Sequence, residues 1–192
     1  MHVTILTLGS RGDVQPYIAV GRGLLAAGHG VRLVTAAQFE GFVRGHGLDF
    51  APLDRRFLEL TDTSAGQSAF EGGNKLQLYK MVRPALRQIL DDSWSATQGT
   101  DAIIYHLKIL AGYHLAEKLG IPAMIGMPLP AYPTSAFANP VLPSGMPSMF
   151  NRPSYRVNQL GKMPFAGMIN DWRRSVLGLP PTSWFAAEDR LP

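Results

Sequence analysis

The stretch VTILTLGSRGDVQPYIAVGRGLLAAGHGVRLVT, residues 3–35, decides the fold. Val3 to Leu8 is a short apolar run with β-branched residues, closed by Gly9, and has the composition of a buried strand. From Pro16 the apolar positions Tyr17, Val20 and Leu24 recur at helical spacing, and Gly28 stops the helix as a left-handed cap does. Val31 to Thr35 is a second β-branched run. Strand, glycine turn, helix and strand form one β-α-β unit, whose crossover in a parallel sheet is right-handed.

The pattern continues outward. A short amphipathic segment around Phe39 to His46 ends at Gly47, and Leu48 to Leu53 is a third extended piece. Residues 61–74, TDTSAGQSAFEGGN, form a loop by composition. Leu76 to Leu90 resumes helical spacing, with Pro84 expected to kink that helix or begin it anew. Asp101 to Tyr105 reads as a strand, Leu110 to Leu119 as a helix stopped by Gly120, and Ile121 to Met127 as a further strand. This alternation predicts an α/β fold with a Rossmann-like, doubly wound parallel sheet, whose ligands gather beyond the carboxyl ends of the strands. After that the character changes: MPLPAYPTSAFANPVLPSGMPSMFNRP, residues 127–153, is punctuated by prolines and carries aromatics and methionines. A loop of this length is either functional or a wrapping of the sheet edge. Tyr155 to Leu177 returns to helical spacing, with GLPPTS as its terminator.

Composition narrows the function classes. The length of 192 residues suits one domain, and 46% apolar with 17% charged residues places the chain among folded globular proteins. Without cysteine there is neither a disulfide framework nor a thiolate metal site, so a reducing compartment, the cytoplasm, is expected and no metal is. The opening MHVTILTLGSRGD is too short in apolar residues for a signal-peptide core. Prolines at 128, 130, 133, 140 and 143 break the most apolar later stretch, so no membrane span is expected. The formal charge of +4 is uneven: Arg152, Arg156, Lys162, Arg173, Arg174 and Arg190 face only Asp171, Glu188 and Asp189. That bias suits peripheral contact with anionic lipid. The positive charges are scattered and not interleaved with aromatics, so no nucleic-acid partner is expected.

GSRGDVQP, residues 9–16, occupies the place of a phosphate-binding turn but is not a dinucleotide fingerprint. Glycines stand only at 9 and 12, Val14 takes the place of the third, and the second strand ends Leu33-Val34-Thr35-Ala36, with no acid before Glu40 to receive a ribose hydroxyl. Asp13 lies just ahead of the helix on this reading. It serves there either as a helix cap or, pointing into the crevice, as a base toward an acceptor hydroxyl, and spacing leaves both open.

These residues, together with DAIIYH (101–106), KILAGYHLAEKLGIP (108–122) and MPLPAYPTSAFANP (127–140), resemble the N-terminal domain of sterol 3-beta-glucosyltransferases. Bacterial relatives that glycosylate antibiotic aglycones share the opening, and the group is the glycosyltransferase family 28 N-terminal domain. The resemblance runs from residue 3 to about residue 180 and implies one half of a two-domain GT-B enzyme. In that architecture the N-terminal domain holds the acceptor and a C-terminal domain binds the sugar nucleotide. It implies an acceptor-binding domain over 1–180 and the start of an interdomain linker over 181–192. A donor-binding domain has no counterpart in this chain and is expected in cis or in trans. No cofactor is implied, a UDP- or TDP-sugar being a co-substrate of that other domain.

The implied reaction is inverting transfer of a hexose to a hydroxyl of a sterol-like lipid or polycyclic natural product. Asp13 is implied as general base, with Ser10, Arg11 and Gly12 shaping the turn; Arg11 either helps hold diphosphate charge or is a solvated side chain. His106, ending the DAIIY strand, is the second catalytic candidate or else merely fills the strand end; Leu107 stands where relatives often place proline, which leaves the aim of the ring open. His114 reads as a helix-face residue. Met127, Leu129, Tyr132, Phe137, Met146, Met149 and Phe150 are expected to wall the acceptor site, the alternatives being packing on this domain's core or docking on the partner domain. A stand-alone binding module for an apolar ligand is the alternative function.

Overall fold

The structure, a computed structural model, describes residues 1–54, 56, 59, 75–143 and 145–183. Five parallel strands, β1 (His2–Leu6), β2 (Gly30–Ala36), β3 (Asp49–Leu53), β4 (Ala102–His106) and β5 (Ala123–Gly126), lie in the order β3-β2-β1-β4-β5. Helices α1 (Arg11–Ala26), α2 (Glu40–Arg44), α3 (Lys75–Ala96) and α4 (Gly112–Leu119) alternate with them. Three short helices follow: α5 (Asn151–Ser154), α6 (Arg156–Lys162) and α7 (Ala166–Trp172). The chain builds outward from β1 through β2 to β3, then returns to lay β4 on the other side of β1. The strand order therefore reverses between β1 and β4, where Leu6 pairs with Tyr105, and that switch point is where an open α/β sheet leaves a crevice.

The two faces of the sheet follow from the period of two along each strand. Val3, Ile5, Val31 and Leu33 pack beneath Val14, Tyr17 and Ile18 of α1. Leu6, Val34, Ile103 and Tyr105 face the other way, onto Leu86, Ile89 and Leu90 of α3, Leu115 of α4, and Ile169 and Trp172 of α7. Burial of both faces is why the strands read as apolar runs. Among the described residues no helix is long and apolar enough to cross a membrane.

Several boundaries differ from the sequence reading. Helix α1 begins at Arg11, not at Pro16, because Ser10 already occupies the N-cap in extended conformation. Pro16 then sits in the second turn, where it removes only one intrahelical bond. The inward stripe is consequently Val14, Tyr17, Ile18 and Gly21, whereas Val20 is exposed. β1 ends at Leu6, and Leu8 is buried beyond it; β5 is confined to four residues. Pro84 lies inside α3, which runs as one helix. Tyr155 to Leu177 is broken into α6, α7 and intervening turns, since Pro164 interrupts the first stretch. The loop read at 61–74 and the linker read at 184–192 lie outside the described residues.

The last helices are fastened by polar anchors. Trp172 donates through Nε1 to Asp91 at 2.9 Å, joining α7 to α3. Arg173, counted above in the C-terminal excess of positive charge, is buried: its guanidinium donates to Glu117 at 2.7 and 3.2 Å, to His114 Nδ1 at 2.8 Å and to the Pro180 carbonyl at 2.9 Å. His114 is correspondingly interior. Burial, and then the Arg173 charge, push its pKa down to about 4 against the opposing pull of Glu117.

Candidate active site

The site lies over the switch point, between the turn after β1 and the end of β4. Asp13 is the third residue of α1, so its carboxylate reaches back over the helix start, where the positive end of the dipole favours it. One oxygen, Oδ2, accepts from the Ser10 backbone N–H at 2.8 Å and from the Ser10 hydroxyl at 3.1 Å. The Thr7 hydroxyl donates to the Asp13 carbonyl at 2.9 Å, fixing the backbone as well. Gly9 makes this geometry possible. Its φ is +141°, and a Cβ there would lie 2.2 Å from Asp13 Oδ2.

The other oxygen, Oδ1, faces β4. Lys108 donates to it through Nζ at 2.8 Å, and His106 Nε2 lies 3.5 Å away. His106 is the last residue of β4 and is almost fully buried. Its Nδ1 accepts the Lys108 backbone N–H at 3.1 Å, so the neutral ring carries its proton on Nε2, the nitrogen 3.5 Å from Asp13 Oδ1. Burial and the Lys108 charge lower the His106 pKa, outweighing the pull of Asp13 upward. Burial raises the Asp13 pKa, but the Lys108 hydrogen bond, the Ser10 N–H and the Lys108 charge together leave it below the usual carboxylate range. The result is a carboxylate anchored through Oδ2, with Oδ1 toward Lys108 and a neutral imidazole beside it.

Tyr17, one helical turn beyond Asp13, joins this cluster to the segment that follows β5. Its hydroxyl donates to the Gly126 carbonyl at 2.7 Å, and its ring stands edge-on to His106 with centroids 6.0 Å apart. Gly126 admits the contact, since a Cβ there would meet the Tyr17 ring at 2.6 Å. The segment after Gly126 is pinned by asparagines and a serine. Asn139 donates its N–H to Ser154 Oγ and its side-chain amide to Asn158, Asn158 donates to the Ala131 carbonyl, and Asn151 donates to the Ser135 carbonyl. Leu129, Tyr132, Phe137, Met149 and Phe150 turn outward from this frame, while Met127 and Met146 are half-buried.

Of the residues singled out in the sequence, the structure brings together Ser10, Asp13 and His106. Arg11 points elsewhere, its guanidinium 4.7 Å from the Phe42 ring centroid, and Gly12 is exposed with room for a side chain. Lys108 and Tyr17 are the two residues sequence reasoning missed. Tyr17 was legible as a core residue only, although its spacing of one turn from Asp13 put it on the same side of α1. Lys108 carried no signal beyond following His106 by two positions.

Comparison with known proteins agrees with this architecture. The description of the glycosyltransferase family 28 N-terminal domain matches residues 3–138. The chain belongs to this family. As a family 28 N-terminal domain it is 38% identical over 189 residues to the sterol 3-beta-glucosyltransferase of Penicillium rubens, covering 95% of this chain and 14% of that protein. The sterol 3-beta-glucosyltransferase of Leptosphaeria maculans is 39% identical over 186 residues, with 95% and 13% covered. The chain thus spans about one seventh of the length of these curated relatives. Among solved structures, the glycosyltransferase SnogD from Streptomyces nogalater superimposes with a TM-score of 0.60 at 18% identity, over 95% of this chain and 43% of that one. The glycosyltransferase of kitacinnamycin gives a TM-score of 0.60 at 18% identity, over 95% and 42%. Both share the fold of this family 28 domain with its parallel sheet.

Proposed function

We propose that the chain is the acceptor-binding domain of an inverting glycosyltransferase that moves a hexose from a UDP- or TDP-sugar to a hydroxyl of a sterol-like lipid or polycyclic natural product. The observation that carries this reading is the divided Asp13 carboxylate, with Oδ2 tied to Ser10 and Oδ1 turned to Lys108 and His106 at the end of β4. An acceptor hydroxyl brought to Oδ1 gives up its proton there while its oxygen attacks the anomeric carbon. The bond from that carbon to the diphosphate breaks on the opposite face, and the diphosphate departs with the electron pair, inverting the centre. His106 Nε2–H holds Oδ1 in place or orients the incoming hydroxyl.

Lys108 has a separate part. A carboxylate held low by an ammonium is a weak base, so transfer requires Lys108 to leave Oδ1 as the acceptor enters; its side chain is 46% exposed and free to swing. Ser10 anchors the base, and Arg11 and Gly12 shape the turn. The acceptor lies against Met127, Leu129, Tyr132, Phe137, Met146, Met149 and Phe150. Burying about 100 Å² of apolar ligand there contributes about 2.5 kcal/mol, more than tenfold in affinity. Residues 1–180 form the acceptor unit, 181–192 open the linker, and a donor-binding domain in the same polypeptide or in trans completes the enzyme. A cytoplasmic setting is in keeping with the cysteine-free sequence.

The test uses the chain with a donor-binding domain supplied. Replacing Tyr132 and Phe137 by alanine should raise KM for the acceptor by about tenfold and leave KM for the sugar nucleotide nearly unchanged. Equal loss for both substrates would count against the acceptor assignment, as would micromolar binding of a sugar nucleotide, by isothermal titration, to the isolated chain.

A further inference from the structure

The run from Ser148 to Phe165 is helical almost throughout and carries a stripe the transfer reaction does not explain. Arg152, Arg156, Leu160 and Met163 recur at steps of three and four residues, the spacing of one helix face, and all four are exposed. Leu160 is 61% and Met163 47% exposed, values that leave large apolar side chains without cover. The opposite side of the same run holds the domain, with Asn151 and Tyr155 buried. A stripe mixing bare apolar side chains with guanidinium groups is a two-part surface, and its charge says what covers it.

From Lys118 to Asn170 the sequence contains no aspartate or glutamate, while Lys118, Arg152, Arg156 and Lys162 are basic. Two other exposed arginines each have a carboxylate close in sequence: Arg44 pairs with Glu40 at 2.8 Å, and Arg174 pairs with Asp171 at 2.5 Å. Arg152 and Arg156 stand in a stretch with no carboxylate at helical reach. We propose that this stripe docks the domain on an anionic lipid surface, with Leu160 and Met163 entering the headgroup boundary and Arg152 and Arg156 meeting lipid phosphates. Helices of this composition lie in the plane of a membrane, held jointly by apolar burial and by attraction to anionic headgroups. The inference stands on this surface alone and does not depend on the sugar-transfer reading.

Flotation of the full chain with vesicles tests it. The chain should float with phosphatidylcholine vesicles containing phosphatidylglycerol and stay behind with pure phosphatidylcholine, and inorganic phosphate at matched ionic strength should not displace it. Each basic residue near such a surface is worth about fivefold in partition, so Arg152→Gln with Arg156→Gln should lower binding about 25-fold. Leu160→Ser with Met163→Ser should lower it about tenfold or more, with melting temperature unchanged because both residues are exposed. Arg22→Gln with Arg83→Gln removes the same charge from exposed positions on α1 and α3 and should leave binding nearly intact. No flotation with anionic vesicles at low salt would overturn the proposal. Equal losses in the stripe and control pairs, showing that overall charge alone binds, would overturn it too, as would concentration-dependent self-association that the serine pair abolishes without vesicles.

Discussion

Lys108 Nζ lies 2.8 Å from Asp13 Oδ1, spanning the switch point from the end of β4 to the first turn of α1. The contact holds Asp13 ionised against the burial that would raise its pKa. A carboxylate whose folded pKa is depressed contributes stability, and here base function, above its unfolded pKa, and loses both as pH falls through the folded value. Lys108→Met leaves burial less opposed, so the acid limb of the kcat/KM profile in the assembled enzyme should move to higher pH. An acid limb unmoved by the substitution would mean that Ser10 and the helix start set the Asp13 charge without Lys108.

His106 should be neutral at pH 7, protonated on Nε2 and bare on Nδ1. The Lys108 N–H donates to Nδ1, and burial with the Lys108 charge lowers the ring's pKa from 6.5. Nitrogen chemical shifts of labelled protein read the two ring nitrogens separately. A doubly protonated ring at neutral pH, or a proton on Nδ1, would contradict the geometry and make His106 an acid.

Gly9→Ala places a Cβ 2.2 Å from Asp13 Oδ2 at a φ of +141°, which an L side chain rarely adopts. The backbone strain costs about 1–3 kcal/mol. Displacement of the carboxylate should also lower turnover by tenfold or more, on the order expected for a misplaced catalytic group. Activity equal to that of the parent would show that the carboxylate position does not matter.

The buried His114, Arg173 and Glu117 cluster should make stability depend on acid. His114 is held neutral in the fold with a pKa of about 4 but titrates near 6.5 when unfolded. Its neutral form therefore gives full stability above about pH 6.5. That stability falls as pH drops toward 4, by about 3 kcal/mol in all. His114→Gln should flatten that part of the denaturation-midpoint profile. Arg173→Leu should cost about 3–5 kcal/mol by removing the buried guanidinium that Glu117, His114 and the Pro180 carbonyl share.

The parallel sheet was legible because strands covered on both faces are written as β-branched apolar runs, and Gly28, Gly47 and Gly120 do stand at helix and turn ends in positive φ. The start of α1 was not, because Pro16 imitates a first-turn signal while the operative cap, Ser10, is one polar residue among several. Asp13 stood out through its motif, but Lys108 could not. A lysine after a strand is ordinarily solvated, and only the register of β1 with β4 brings it to Asp13 across 95 residues. Arg173 was illegible for the same reason: its partners His114 and Glu117 lie 59 and 56 residues away.

On the proposed mechanism Asp13 takes the proton of the acceptor hydroxyl. The direct measurement is single-turnover hexose transfer by the chain supplied with a donor-binding domain, comparing the parent with Asp13→Asn. Asparagine keeps an oxygen for the Ser10 N–H, so the cap and the melting temperature should be retained while the base is lost. The transfer rate should fall by about a hundredfold or more with acceptor affinity little changed. A near-normal rate in the folded variant would contradict that mechanism and reduce Asp13 to the structural partner of Ser10.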